Sequence, residues 1–354
     1  MELVVLNTDL EPIHILDSFG SLIWTNRYST YGDFEIFTPF ETSLLAFLQA
    51  DNYLTLSDTT MIIEDVEILS DPEEGNKLKV TGRSLESILD RRIVWGQVIL
   101  NGNFQTEIER LLNENAIDPT DPYRKINRLI FEESVDPAIT SLAVSGQYDG
   151  EYIYDVIQTL CTERNIGFKI SLTETGDFSF KLYSGSDRSY EQTDNPFVIF
   201  SHKYDNLGST NYKESKKDSK TTILVTGEGD PLTRLEVVVE NSVEPKTDLD
   251  RREMYDDASD ISQTTSEGTL LEEVYILELT QRGREKLSEK VIIQLFDGQI
   301  EATSMYAYDV DFFMGDIVQL ENEYGLQGRA QVTELIRFQD LSGENTRPTF
   351  TQII

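Results

Sequence analysis

The strongest constraint on the fold is a change of hydrophobic period near the C-terminus. Across 291–338 short apolar runs are separated by turns, and at its end apolar residues share one parity, the period of a strand and not of a helix. Val291–Phe296 is an apolar run closed by Asp297-Gly298, Ile317–Leu320 follows a Gly315-Asp316 turn, and Tyr324-Gly325 marks another turn. Ala330, Val332, Ile336 and Phe338 then share one parity, with Glu334 as its exception. Short strands punctuated by Asp-Gly and Gly-Asp predict an antiparallel barrel or sandwich piece.

The same texture opens the chain. Leu3–Leu6, His14–Leu16, Leu22–Trp24 and Phe34–Ile36 are strand candidates, and Ser43–Ala50 predicts one or two helical turns. Met61–Leu69 and the 77–81 stretch, joined by the breakers Asp71-Pro72-Glu73-Glu74-Gly75-Asn76, predict a hairpin with one wet face. Ser84 is placed to cap a helix whose Leu85, Ile88 and Leu89 form a stripe that braces this first module.

The middle changes character. Helical stripes run over 103–115 (Phe104, Ile108, Leu111, Leu112) and over 150–167 (Ile153, Val156, Ile157, Leu160, Cys161). Phe168–Leu172 and Phe178–Tyr183 follow as a hairpin that needs a partner surface, best supplied by the 103–115 helix. The 116–148 stretch has little pattern apart from Arg128–Phe131. Thr221–Val225 and Leu235–Val239 are further strands, 240–268 is an acidic, Ser/Thr-rich linker, and Leu270–Lys290 is a charged surface helix weakened by Gly283.

Charge narrows the function classes. Thirty Lys and Arg against 64 Asp and Glu leave a net −34 among 354 residues. Such a chain repels DNA and anionic membranes at long range, which serves solubility or a wall that lets nucleic acid pass. No apolar run approaches the eighteen residues of a membrane span, and Met1-Glu2-Leu3 lacks the layout of a secretion signal. Cys161 is the single cysteine, so neither an intrachain disulfide nor a thiolate metal cluster is possible.

Catalytic and metal signatures are weak. His14 and His202 are the only histidines and no HExxH or CxxC occurs. Asp309, Asp311 and Asp316 lack the EF-hand spacing. Thr226-Gly227-Glu228-Gly229 lacks the Lys-Ser/Thr sequel of a phosphate loop, and no GxSxG is present. With so many carboxylates a glycosidase pair carries no signal. Lys213, Lys216, Lys217 and Lys220 form a small basic cluster, either a solvated turn or a patch facing an acidic partner. Trp95 and the Tyr148, Tyr152, Tyr154 group are either core residues or a platform for sugars. No residue is therefore assigned as catalytic, cofactor-binding or metal-binding, no cofactor is expected, and the chain is read as a non-enzyme.

Three stretches together carry a family resemblance: Tyr31-Gly32-Asp33-Phe34-Glu35-Ile36, the run from Gly82-Arg83-Ser84 to Asp90-Arg91-Arg92, and Tyr308-Asp309-Val310-Asp311-Phe312-Phe313-Met314-Gly315-Asp316-Ile317-Val318. With these the chain resembles Gp37-like siphophage tail proteins of phages and prophages of Gram-positive bacteria. The resemblance implies a baseplate or tail-tip hub: a structural virion component, mainly β with an α+β insertion, built from two small β-barrel-like modules. It implies a homo-oligomer, a trimer whose six modules surround a channel that DNA crosses without specific binding. The partners it implies are a distal tail ring protein and tail-tip or receptor-binding proteins, at the virion tail tip after synthesis in the host cytoplasm. On this chain the first module maps to 1–100, the insertion to 101–199, and the second module to 200–239 with 291–340. A linker and helix would fill 240–290, and 341–354 would be a tail. The alternatives are a cell-wall peptidoglycan hydrolase or a carbohydrate-binding host-attachment module.

Overall fold

The computed structural model describes residues 1–354 except 72–74, 266–267, 301–304, 323, 326, 342 and 354; of 71, 209–212, 293–300, 352 and 353 it describes the backbone alone. The predicted turn at Pro72–Glu74 and the terminal Ile354 thus lie outside the described residues.

The N-terminal body consists of β1 (Leu3–Leu6), β2 (Pro12–Leu16), β3 (Ser21–Arg27), β4 (Asp33–Pro39), β5 (Tyr53–Leu56), β6 (Thr59–Asp71) and β7 (Gly75–Ser84). Alternation builds it: β4 turns Phe34 and Ile36 inward, to meet Trp24, Met61, Ile63 and Val80. The 43–50 stretch contributes one 3₁₀ turn, Leu44–Ala46. The predicted 61–81 hairpin forms, with a bulge between Ile63 and Asp65. At Gly82 the β6 backbone comes close to β7; a Cβ there would sit 1.8 Å from the Ile62 carbonyl oxygen.

Leu85–Arg91 forms a 3₁₀ helix, not an α-helix, and Ser84 does not cap it. The Ser84 hydroxyl is engaged elsewhere, accepting the Gly32 N–H at 2.7 Å. Leu85, Ile88 and Leu89 are buried as expected, but in the core of the insertion instead of that of the first module. This insertion contains β8 (Val98–Asn103), α1 (Phe104–Leu112), β9 (Leu129–Glu132), α2 (Pro137–Thr140), β10 (Ala143–Tyr148), α3 (Ile153–Glu163), β11 (Gly167–Leu172) and β12 (Phe178–Tyr183). β8 pairs with β10, and β11–β12–β9 form a second sheet in which β9 runs parallel to β12. The hairpin meets α3, where Tyr154 lies against Phe168, and shares one apolar core with the stripes of α1 and α3.

The chain then makes β13 (Ile199–Ser201) and β14 (Leu207–Ser215), followed by β15 (Thr222–Thr226), β16 (Glu236–Glu240), β17 (Glu253–Asp257), the two-residue strands β18 (Thr264–Thr265) and β19 (Gly268–Thr269), and α4 (Glu272–Ser288). Here the structure departs from expectation. β15 and β16 do not join the C-terminal strands; they pair with each other and, through β15, with β17. Ile223, Val225 and Val239 pack on Tyr275, Leu279 and Leu287 of α4, making a separate core. The acidic 240–268 stretch therefore supplies strands, β17 and the short β18. Its charges are tolerated because arginines meet them: Arg251 reaches Glu253 (2.6 Å), Arg234 reaches Asp257 (3.4 Å) and Arg282 reaches Asp256 (3.6 Å). Gly283, which weakens the helix intrinsically, admits the sheet: a Cβ there would lie 2.6 Å from the Val239 Cγ2.

The last elements are β20 (Ile293–Ile300), β21 (Ile317–Glu321), β22 (Gln327–Asp340) and β23 (Gly343–Ile353). Asp297-Gly298 is no turn; both residues lie within β20, paired with Asn211 and Thr210 of β14. The expected C-terminal tail is instead β23, which pairs with β22 from Asp340↔Gly343 onward. The Glu334 exception has a structural cause. A bulge between Val332 and Glu334 reverses the parity, so Ala330 and Val332 are buried before it and Leu335 after it.

Among the described residues the two end bodies share one sheet, ordered β14–β20–β23–β22–β3–β4–β7–β6–β5–β1–β2, with β21 on β22 and β13 on β21. The fold is mixed α+β with several sheets, and no closed barrel is found among those residues. The seam explains the departure from two closed modules. β3 gives one edge to β4 and the other to β22, from Arg27↔Glu334 to Leu22↔Gln339. The edge with which the first module could close on itself is spent on its neighbour.

Candidate functional site

The three stretches that carry the resemblance are far apart in sequence, yet they converge. A cleft of about 410 Å³ lies between the N-terminal body, the insertion and the C-terminal body. Gly32, Ser84 and Glu86 line it from the first two stretches, Tyr308, Asp309 and Asp316 from the third, and Lys169, Lys181 and Tyr183 from the insertion.

Ion pairs hold the elements that surround this cleft. Arg27, at the end of β3, binds Asp33 (2.5 Å) and, across the seam, Glu334 (2.7 Å). Burial alone would lower its pKa, but the bonds and charges of Asp33 and Glu334 outweigh burial and raise it. Arg83 holds Glu64 through two bonds (2.7 and 2.8 Å) and Asp90 through a third (2.6 Å), and its guanidinium stacks 4.7 Å from the centre of the Tyr31 ring. Asp316 is buried and accepts from Arg188 (2.6 Å), the Ser186 N–H (2.7 Å) and the Phe313 N–H (3.0 Å). It thereby ties the chain leaving the insertion to the turn before β21. Glu86, buried under β11, accepts the Ile170 N–H at 2.8 Å, and burial raises its pKa. These acids are held by arginines or backbone N–H groups, and the bonds of Arg27, Asp316 and Glu86 tie the three bodies to one another.

A second junction joins α4 to the insertion, and the sequence signal there misleads. Glu278, Gln281 and Glu285 belong to a helix charged enough to lie on a surface, yet all three are buried. Tyr148 donates to Glu285 at 2.5 Å, Gln147 donates to Glu278 at 3.3 Å, and Arg164 reaches Gln281 at 3.1 Å. Burial alone pushes the Glu278 carboxyl up to about 7.

The other sequence candidates fall apart as sites. His14 stacks on Phe47 with ring centres 4.5 Å apart, and Cys161 is buried in α3. Asp309 pairs with Arg337 (3.4 Å) and Asp311 accepts the Ala307 N–H (2.7 Å), so each member of that aspartate trio has partners of its own. Among the described residues no three His, Cys, Asp or Glu side chains are grouped to hold a metal ion. Tyr148 and Tyr154 are buried while Tyr152 is exposed, so the three make no common platform. Trp95 is 67% exposed, with the Arg124 guanidinium 4.8 Å from its ring centre. The Gly227-Glu228 turn is built over Tyr275, whose hydroxyl accepts the Glu228 N–H at 2.8 Å. Lys213, Lys216 and Lys217 are exposed, Lys216 beside Glu214 (3.4 Å).

Residues 2–350 match the model of the siphovirus ReqiPepy6 Gp37-like protein family. The chain belongs to that family. No curated protein sequence matches it. Its fold is similar to that of a prophage tail protein from Listeria monocytogenes, at 12% identity and a TM-score of 0.56 over 99% of this chain and 94% of the other. It is also similar to a tail protein from Neisseria meningitidis (11% identity, TM-score 0.58, 99% and 96% covered). A third match is the prophage MuSo2 tail protein from Shewanella oneidensis (12% identity, TM-score 0.57, 100% and 98% covered). At these identities the likeness is one of fold. This Gp37-like chain therefore has the architecture of phage tail proteins over essentially its whole length.

Proposed function

We propose that this Gp37-like chain is the structural hub of a siphophage or prophage tail tip. It assembles as a ring, a trimer, that joins the distal tail ring to tip or receptor-binding proteins and lets DNA pass through its centre. The observation that carries the reading is the seam. Two β bodies stand side by side in one sheet, pinned by the β3–β22 ladder and by Arg27 with Glu334. A subunit that presents two fixed β bodies supplies repeated surfaces for a closed ring of heterologous contacts. The net −34 supports the passage of DNA, because an acidic wall offers phosphates no trap. The virion tail is its destination, after synthesis in the bacterial cytoplasm.

Light scattering gives the solution mass, and imaging of the assembled particle gives the number of copies around the axis. Three copies around an acidic opening support the hub. A single copy off the axis overturns it, and a basic lumen removes the DNA-passage element. A zymogram on purified cell walls addresses the hydrolase alternative, and glycan binding by the full chain addresses the attachment alternative.

A further inference from the structure

The segment 216–292 is an arm. β14 ends at Ser215 and β20 begins at Ile293, and these two residues are paired, so the arm leaves and re-enters the body at one point. It has its own core and sheet. Beyond this neck it rests on the insertion through the Ser262 loop and a stripe of α4, where Glu278, Gln281 and Glu285 share a face at helical spacing. The adjoining face, with Tyr275, Leu279 and Leu287, belongs to the arm's own core.

The stripe meets polar groups. Gln147 donates to Glu278 (3.3 Å) and to the Ser262 carbonyl (3.2 Å), and accepts the Ser262 N–H (2.7 Å). The Tyr148 hydroxyl and Gln281 Nε2 both donate to Glu285 Oε1, at 2.5 and 3.1 Å. Gln281 also donates to Glu163 (3.0 Å) and accepts from Arg164 (3.1 Å). The charged groups facing Glu285 are Arg282 on its own helix and Glu163 and Arg164 at the end of α3. Arg164 is bound to Glu163, and Arg282 to Asp260 and Asp256. The groups around Glu278 are Gln147, the Ser262 loop and Tyr275.

We infer that this contact is a proton-operated latch: the arm is docked on the insertion while Glu278 and Glu285 carry protons, and swings out on its neck when they ionise. Both carboxyls are nearly inaccessible, at 1% and 7% exposure, and the nearby arginines are held by other acids. Desolvation lifts Glu278 to about 7. It also lifts Glu285, against the pull of Tyr148, Gln281 and Arg282. Undocked in water, each returns to the ordinary carboxylate range near 4.5. A carboxyl whose pKa is higher in the docked state binds more protons there, so docking is favoured at low pH and weakened as pH rises through the docked value. For Glu278 alone the docking constant falls about tenfold between about pH 6 and about pH 8.5, and Glu285 adds to this in the same direction.

Hydrogen exchange of the full chain at these two pH values, corrected for intrinsic exchange chemistry, tests the latch. Expected is a loss of protection of about tenfold or more at the higher pH in 272–288 and 143–148, with β3 and β22 unchanged. Glu278→Gln with Glu285→Gln should keep protection at both pH values. Equal protection of the unaltered chain at both, or the same loss in the glutamine variant, overturns the proposal. Should the glutamine variant misfold, energy transfer between labels at Leu232 and Tyr123, both more than 90% exposed, gives an independent reading. Transfer that changes with pH supports release, and transfer that does not change overturns it.

Discussion

The β3–β22 seam and the α4 contact both join one part of the chain to another, by opposite means. The seam is a ladder of backbone hydrogen bonds running from Arg27↔Glu334 to Leu22↔Gln339 inside a sheet shared by both bodies. The α4 contact is made by side chains, with two carboxyls taken out of water. A backbone ladder flanked by apolar cores cannot part without exposing those cores. A polar side-chain contact parts at the cost of bonds that water replaces almost in full. The difference predicts one cooperative unit comprising both β bodies, and an arm that unfolds or undocks separately.

The largest test strikes the seam. Leu335 is 1% exposed, sits just after the bulge and pairs with Asn26. Leu335→Asp places a carboxylate there at a cost of roughly 4 kcal/mol or more. Both β bodies should lose stability together, seen by calorimetry as a single main transition moving down. If that transition keeps its position, the seam does not couple the bodies. Next in size is Gly283→Val in the arm, where the added Cβ lies within 2.6 Å of Val239. Overpacking of this kind costs about 1–3 kcal/mol. The loss should fall on the arm's transition, with the β3 and β22 amides keeping their exchange protection. A matched loss at the seam would show that arm and body are one unit after all.

How far the fold was legible follows the same division. Period-two patterns in 1–40 and 317–338, the 61–81 hairpin and the α1 and α3 stripes announce themselves, because burial on one face writes its period into the residues. Glu334 looked like a blemish in a strand, and it marks a bulge; no local pattern says where an extra residue will sit. The strands β15, β16 and β17 were legible only in part. Glu253–Asp257 has the composition of a linker, and its charges are met in the strand by the neighbouring Arg251 and by Arg234 and Arg282 from outside the stretch. The site was less legible still. Glu278 and Glu285 carry the residue types of a wet face, and burial by a distant segment cannot be read from helical spacing. Gly283 beside them was the available signal: a glycine in mid-helix that admits a sheet. The three stretches around Gly32, Ser84 and Asp309 did mark the cleft, although only the fold shows that they meet.

The smallest effect belongs to Arg27, and it asks what keeps the seam in register. A slip of one residue would turn Leu335 to the opposite face. The ladder itself repeats at every second residue, so the backbone alone does not forbid a slip of two. Arg27 does, because its guanidinium is spaced to reach Asp33 on its own hairpin and Glu334 on the partner strand at once. Its side chain is 29% exposed and that of Glu334 21%, so solvent screens the pair without cancelling it. Arg27→Ala should cost about 1–2 kcal/mol, some of it from Glu334 left with Thr349 as its side-chain partner at 3.0 Å. In a double-mutant cycle with Glu334→Gln the coupling should be about 1 kcal/mol and should appear in the main transition alone. A coupling indistinguishable from zero would assign the register to the bulge and the Leu335 side chain. A coupling that appears in the arm's transition would contradict the division between the two junctions.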